Sequence, residues 1–318
     1  MNGHTSSIPT VPSAGVWAPA ITFFDPDTDE LDLASQAKYF AYLSQHLTGL
    51  VILGTNAETF LLTREERAAL LRIAREAVGP AYPLMAGVGG HSTKQVLEYI
   101  HDAAEAKANY ALVLPCAYFG KATTAKVIAN FYDEVAAKSP LPIVIYNFPG
   151  VCNGVDLESD TIAALATEHP NIVGVKLTCA SVGKITRLAA QLPADEFATF
   201  GGQSDFLLGG LSVGSAGCIA AFANVFPKSI KRVYDLYRGG KVEEAMQIHR
   251  EAALAESLSK SGIANTKFAA SVTSARSAGV EGAEGKLAPR RPYEAPSAEA
   301  KKEIRAKMAK MIGIEDAL

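Results

Sequence analysis

The chain has 318 residues, 48% of them hydrophobic and 20% charged, with a formal net charge of −3. That is enough chain to bury a large core, and the near-neutral charge gives no electrostatic case for nucleic acid or membrane as partner. No apolar stretch approaches the roughly 20 residues a membrane span needs.

The opening MNGHTSSIPTVPSAG has neither the basic start nor the apolar centre of a secretory signal. Residues 1–14 therefore read as a tail, and the expected localisation is cytoplasmic. Short apolar runs then alternate with longer amphipathic stretches. VWAPAITFF (16–24) is the first strand candidate and GLVILG (49–54) the second. TREERAALLRIAREAV (63–78) has a helical period, with Thr63 as N-cap and Glu66 completing a capping box. PLMAGVG (83–89) leads to a second helical pattern, STKQVLEYIHDAAEAK (92–107), capped by Ser92. YALVLP (110–115), PIVIYN (142–147), IVGVKLT (172–178), FATFGG (197–202) and AGCIAA (216–221) complete the strand candidates.

Eight strands, each followed by a helix, predict a closed (β/α)8 TIM barrel of class α/β over 15–223. An open doubly wound sheet is the alternative, but no GxGxxG follows the first strand. Residues 224–318 should hold the last barrel helix and a C-terminal helical appendix. VFPKSIKRVYDLYRGG, VEEAMQIHREAALAESLSK and SAEAKKEIRAKMAKM read as helices, and SAGVEGAEGKLAPRRPYEAP as the loop before the last one. Cys116, Cys152, Cys179 and Cys218 lack CxxC spacing and read as small apolar fillers.

In such a barrel the active site lies at the C-terminal ends of the strands. Thr55, Asn56 and Glu58 sit after the second strand, Tyr118 after the fourth, and Tyr146 and Asn147 at the end of the fifth. Lys176 lies inside the apolar sixth strand, where an ammonium costs several kcal/mol (order of magnitude) unless paired or deprotonated. One reading lets its stem pack while the amine reaches water. The other makes it a nucleophile for a carbonyl carbon, kept neutral by apolar surroundings. Tyr146 on the adjacent strand is either a core aromatic or a proton relay in the same mouth. GTNAET is either a tight turn or an anion cradle of backbone N–H groups. A 2-oxo acid needs both parts, an amine for its keto carbon and donors for its carboxylate.

GTNAE, YNFP and GVKLT, in this order, resemble the pyruvate-dependent class I aldolase family. That family includes dihydrodipicolinate synthase, N-acetylneuraminate lyase and the 2-keto-3-deoxy-sugar-acid aldolases, and the resemblance spans residues 15 to 312. It implies a (β/α)8 barrel, no cofactor, no metal, a small 2-oxo acid as substrate and a homotetramer. It implies Lys176 as the imine-forming lysine, Tyr146 as the proton shuttle and Thr55 as its relay hydroxyl. Asn56 falls where the substrate carboxylate is held, Ile219 where a backbone carbonyl lines the site, and Gly201 among the substrate-binding positions. Tyr118 falls beside Ala117, where the family carries a tyrosine lent to the neighbouring subunit.

Two departures stand out. Val151 occupies the place of the arginine with which dihydrodipicolinate synthases bind a second carboxylate, and Ala57 replaces a usual glycine. YNFPGVCNG and GVKLTCASVGK most resemble fungal-type aldolases that cleave L-threo-3-deoxy-hexulosonate to pyruvate and glyceraldehyde. The 4-hydroxy-2-oxoglutarate aldolases are runners-up, and dihydrodipicolinate synthase follows. Near the aldehyde half stand Asn153, Thr178, Ser181, Gln203 and Ser204, the nearest arginine being Arg187 on the following helix. Neutral groups of this kind suit a hydroxylated tail. A non-catalytic 2-oxo-acid sensor needs neither Lys176 nor Tyr146, and the six histidines lack the HxH or HExxH spacing of a metal-dependent aldolase.

Overall fold

A computed structural model describes residues 11–257, 260 and 262–318. Eight parallel strands close in sequence order: β1 (Gly15–Pro19), β2 (Gly49–Ile52), β3 (Leu84–Gly87), β4 (Tyr110–Val113), β5 (Ile143–Asn147), β6 (Ile172–Leu177), β7 (Ala198–Gly201) and β8 (Gly217–Ile219). β8 returns to β1 through Gly15 with Gly217, Val16 with Cys218 and Trp17 with Ile219. The intervening helices are α1 (Leu33–Ser44), α2 (Arg64–Val78), α3 (Thr93–Glu105), α4 (Ala125–Lys138), α5 (Ser159–Glu168), α6 (Val182–Gln191), α7 (Leu207–Leu211) and α8 (Pro227–Arg238). The remainder is helical: α9 (Val242–Glu256), α10 (Ile263–Ser271), α11 (Ser274–Ser277), α12 (Ala283–Lys286) and α13 (Ala298–Asp316). No helix among the described residues is long and apolar enough to cross a membrane.

The period-two pleat divides each strand between two cores. Outward residues such as Ile145, Val175 and Leu177 pack under the helices in one large cluster. Inward residues form a second cluster inside the barrel, including Trp17, Tyr110, Val144, Tyr146, Val173 and Phe200. The barrel floor is aromatic: Trp17 meets Tyr110 and Phe200 edge to face, at centroid distances of 6.2 and 6.3 Å. Its indole N–H donates to the Ser13 carbonyl at 3.0 Å. Gly49 leaves room for this ring, since a Cβ there would lie 2.4 Å from it. Of the 1–14 tail, residues 1–10 lie outside the described residues, and Val11 packs against the inner cluster.

Both caps form as read: Thr63 and Glu66 make the reciprocal capping box of α2, and the Ser92 hydroxyl accepts from Gln95 N–H at the start of α3. Three readings differ. The first strand ends at Pro19 rather than at residue 24. Beyond it the chain leaves the sheet, and the Gln36 amide takes over as partner, accepting from Phe23 N–H and donating to the Ile21 carbonyl. The loop read before the last helix contains α12. Helix α10 carries no amphipathic period because Thr266 through Ser271 are all buried. The read helix over 242–260 stops at Glu256, and its residues 258 and 259 lie outside the described residues.

Candidate active site

Tyr146 and Lys176 are register partners on β5 and β6 and point into the barrel mouth. Lys176 is 1% exposed. Its Nζ lies 4.0 Å from the Tyr146 ring centroid, and no carboxylate of the described residues pairs with it. The Tyr146 hydroxyl faces the Thr55 hydroxyl at 3.4 Å. A buried amine, a buried phenol and a half-buried hydroxyl thus meet on the inner wall.

Thr55 opens a single 3-10 turn, Thr55–Ala57. Its first i→i−3 bond runs from Ala57 N–H to the Gly54 carbonyl at 3.0 Å. The N–H groups of Thr55 and Asn56 precede that bond, as donors at a turn opening do. Where the family has glycine, Ala57 would tolerate a left-handed backbone poorly. The left-handed residues of this loop are instead Leu53 (φ 64°) and Glu58 (φ 57°), so the alanine meets no such demand.

The aldehyde side is less populated than its sequence promised. The Asn153 amide donates to the Ala117 carbonyl at 2.7 Å and the Tyr118 carbonyl at 3.3 Å, tying the β5 loop to the β4 loop. Ser181 caps α6 by accepting from Lys184 N–H. The Ser204 hydroxyl donates to Glu256 at 2.6 Å, and its carbonyl lies 2.9 Å from His249 Nε2. Arg187 is turned away, its Nε donating to the Ser159 hydroxyl. Gln203 stays half-buried beside the mouth. Thr178, two residues past Lys176, keeps a buried hydroxyl with no protein partner.

Other candidates separate cleanly. Gly201 and Ile219 end β7 and β8, and a Cβ on Gly201 would press the Phe206 ring at 2.8 Å. Asn147 is buried and spent on the scaffold, donating to Asp156 and accepting from Leu157 N–H. Tyr118, read as substrate-binding, is 69% exposed on the rim, its ring centroid 5.6 Å from that of His91. Val151 is a rim residue as well, 44% exposed. Burial pushes the thiols of Cys116, Cys152 and Cys218 up, Cys152 to about 12, which leaves them inert.

Among the buried charged groups that escaped the sequence reading, Glu256 and Lys267 lie nearest the site loops. Glu256 on α9 lies behind the β7 loop, and burial pushes its carboxyl up to about 7 against the opposing Ser204 bonds. Its signal was present, for Ala245, His249, Ala252 and Glu256 form one buried helical stripe. Lys267 on α10 reaches Glu58, and the all-round burial of α10 erased any comparable signal.

The model of the dihydrodipicolinate synthetase family matches residues 12–311. A relative in Coccidioides immitis (strain RS), named "putative 4-hydroxy-2-oxoglutarate aldolase, mitochondrial", is 67% identical, covering 98% of this chain and 99% of its own. The L-threo-3-deoxy-hexylosonate aldolase of Hypocrea jecorina is 38% identical, over 82% of this chain and 86% of its own. A crystal structure of a dihydrodipicolinate synthase family protein from Coccidioides immitis superposes with a TM-score of 0.92 at 63% identity, covering 98% of this chain and 100% of that one. The expected cytoplasmic localisation is overturned, because the 67% identical relative is named as mitochondrial. Lacking a secretory signal says nothing about mitochondrial import, whose targeting segments are amphipathic and Arg-rich rather than apolar. Motifs, closed barrel and family match agree, and the chain belongs to the dihydrodipicolinate synthetase family.

Proposed function

We propose that this protein is a pyruvate-forming class I aldolase acting on a 2-keto-3-deoxy sugar acid. The observation that carries the reading is the buried Lys176 amine lying against Tyr146, whose phenol faces Thr55. Lys176 attacks the C2 keto carbon, and loss of water leaves a protonated imine. The imine accepts the electron pair of the breaking C3–C4 bond. Tyr146, relayed by Thr55, takes the C4 hydroxyl proton as the aldehyde departs. The enamine is then protonated at C3, and water hydrolyses the imine to free pyruvate and Lys176. Asn56 and the N–H groups opening the 3-10 turn hold the carboxylate. The site needs no metal or cofactor for these steps.

The tail preference rests on Thr178. Its hydroxyl has no partner among the described residues and is closed off against Gly202, so a substrate hydroxyl completes it once that side chain turns toward the site. Val151 and the outward Arg187 leave no guanidinium there for a second carboxylate. A second reading, 4-hydroxy-2-oxoglutarate, is favoured by the name of the 67% identical relative. We also read the exposed ring group of Phe60, His91, Tyr118 and Phe119 as a meeting face between copies, in keeping with the expected homotetramer. The test is pyruvate release from L-threo-3-deoxy-hexulosonate and from 4-hydroxy-2-oxoglutarate, side by side. A higher kcat/KM is expected for the sugar acid, and the opposite order selects the second reading.

A further inference from the structure

Behind the 3-10 turn that carries Thr55 and Asn56 lies an ion pair with no part in the steps above. Glu58 and Lys267 are 209 positions apart in sequence, and their side chains are 3% and 0% exposed. Lys267 Nζ donates to Glu58 Oε2 at 2.5 Å and to the Ala288 carbonyl at 3.0 Å. The other carboxylate oxygen, Oε1, accepts from Arg290 N–H at 2.8 Å. One glutamate thus joins the β2 loop to both α10 and the segment after α12. Burial pushes the Lys267 ammonium down, and Glu58 opposes that shift.

Glu58 also occupies a peculiar place on the chain. It is left-handed, with φ 57° and ψ 36°, and it ends the Thr55–Ala57 turn while starting the next one, Thr59–Leu61. Glycine adopts that conformation without strain, so the turn alone does not call for a glutamate. A buried ion pair is likewise weak evidence for stability, since apolar replacements of both partners often stabilise as well. Packing is thin on this side, where a cleft of about 510 Å³ separates Thr55, Phe60 and Leu61 from Ile263, Pro289 and Tyr293. Polar bonds therefore hold the loop on this side, and the Thr22 hydroxyl, donating to the Ala57 carbonyl at 2.8 Å, is a second pin. Thr55 lies between the two environments, facing Tyr146 on one side and lining the cleft on the other.

We propose that Lys267 and Glu58 are a positioning pair that sets the carboxylate cradle, making the C-terminal helices part of 2-oxo-acid recognition. The inference rests on the aldolase reading above. It separates affinity from chemistry, because the pair touches the loop that holds the carboxylate and does not touch Lys176.

Pyruvate trapping by borohydride on the full chain tests it, read as adduct mass on Lys176 against pyruvate concentration. In Lys267→Met and in the double variant Glu58→Gln with Lys267→Met, the half-saturating pyruvate concentration should rise about tenfold or more, the scale of a lost charge-assisted hydrogen bond. The adduct yield at saturating pyruvate should stay at the wild-type level. The double variant should melt closer to wild type than Lys267→Met does, since no unpaired buried charge remains, yet keep the raised half-saturation. An unchanged half-saturation in the folded double variant overturns the positioning role. Should both variants fail to fold, Glu58→Gln alone weakens the pair at its other member, and an unchanged half-saturation there overturns it equally. No adduct on the wild-type protein refutes the aldolase reading itself, and this inference with it.

Discussion

The two ends of the barrel interior are lined by the same eight strands and built on opposite rules. At the floor, Trp17, Tyr110 and Phe200 interlock edge to face, and the indole N–H has its partner in Ser13. At the mouth, among the described residues, an amine is buried without a carboxylate, a phenol is held at 3.4 Å from a hydroxyl, and the Thr178 hydroxyl has no partner. The buried amine and the unmet hydroxyl each cost stability, which packing such as that at the floor offsets. Polar groups left incomplete in a folded chain mark where another molecule is expected to complete them.

The sharpest way to break this contrast is Lys176→Met, which should abolish the borohydride-trapped pyruvate adduct and reduce turnover to background. Its urea midpoint should equal or exceed the wild-type value, because a flexible apolar side chain replaces a buried amine. A strongly destabilised variant would show that Lys176 is a scaffold residue. Trp17→Ala is the mirror experiment. It should cost about 3–5 kcal/mol in urea unfolding. The pyruvate half-saturation of the fraction that stays folded should hardly move, and a large shift would mean that floor and mouth are coupled.

Thr178→Val tests whether an incomplete group is meant for substrate. Removing the hydroxyl should lower kcat/KM for the hydroxylated acid roughly 10–100-fold, the equivalent of about 1–3 kcal/mol. The melting temperature should hold or rise, since an unmet buried hydroxyl has been removed. A lower melting temperature with unchanged kcat/KM would return Thr178 to the scaffold.

The most gradual effect belongs to Glu256, whose carboxyl is pushed from its ordinary 4.5 to about 7. Between those values the folded protein keeps a proton that the unfolded chain releases, so stability falls as pH rises through that window. Below 4.5 the contribution is fully present, and above about 7 it is fully lost. Glu256→Gln should flatten a slope of at most about 1.4 kcal/mol per pH unit in urea unfolding between pH 5 and 7. An unchanged slope would assign the pH dependence to other groups.

The strands were legible because each buries both faces and reads as a short apolar run between turn residues. Lys176 and Tyr146 were legible for the converse reason, as polar heads inside such runs. Side-chain commitments made across the fold were not. Asn153, Ser181 and Ser204 look alike to Thr178 in sequence, yet three of the four are consumed by Ala117, Lys184 and Glu256 respectively. The all-round burial of α10 hid Lys267, and the outward exit of the chain after Pro19 was masked by a run of apolar residues that serve the helix layer instead. Periodicity reports which face is buried, and it carries no record of which distant atom a buried polar group meets.

The pairing of β1 with β8 has a consequence for how the chain comes to be made. Residues Gly15 to Pro19 emerge early in synthesis, yet one of their two edges has no partner until Gly217 to Ile219 exist. For most of translation the nascent sheet therefore presents a bare row of N–H and C=O groups, a template for pairing with another chain. Contacts this distant are also slow to form. Chaperone dependence and aggregation during expression should accordingly respond to mutations in the short eighth strand more than to changes at the mouth.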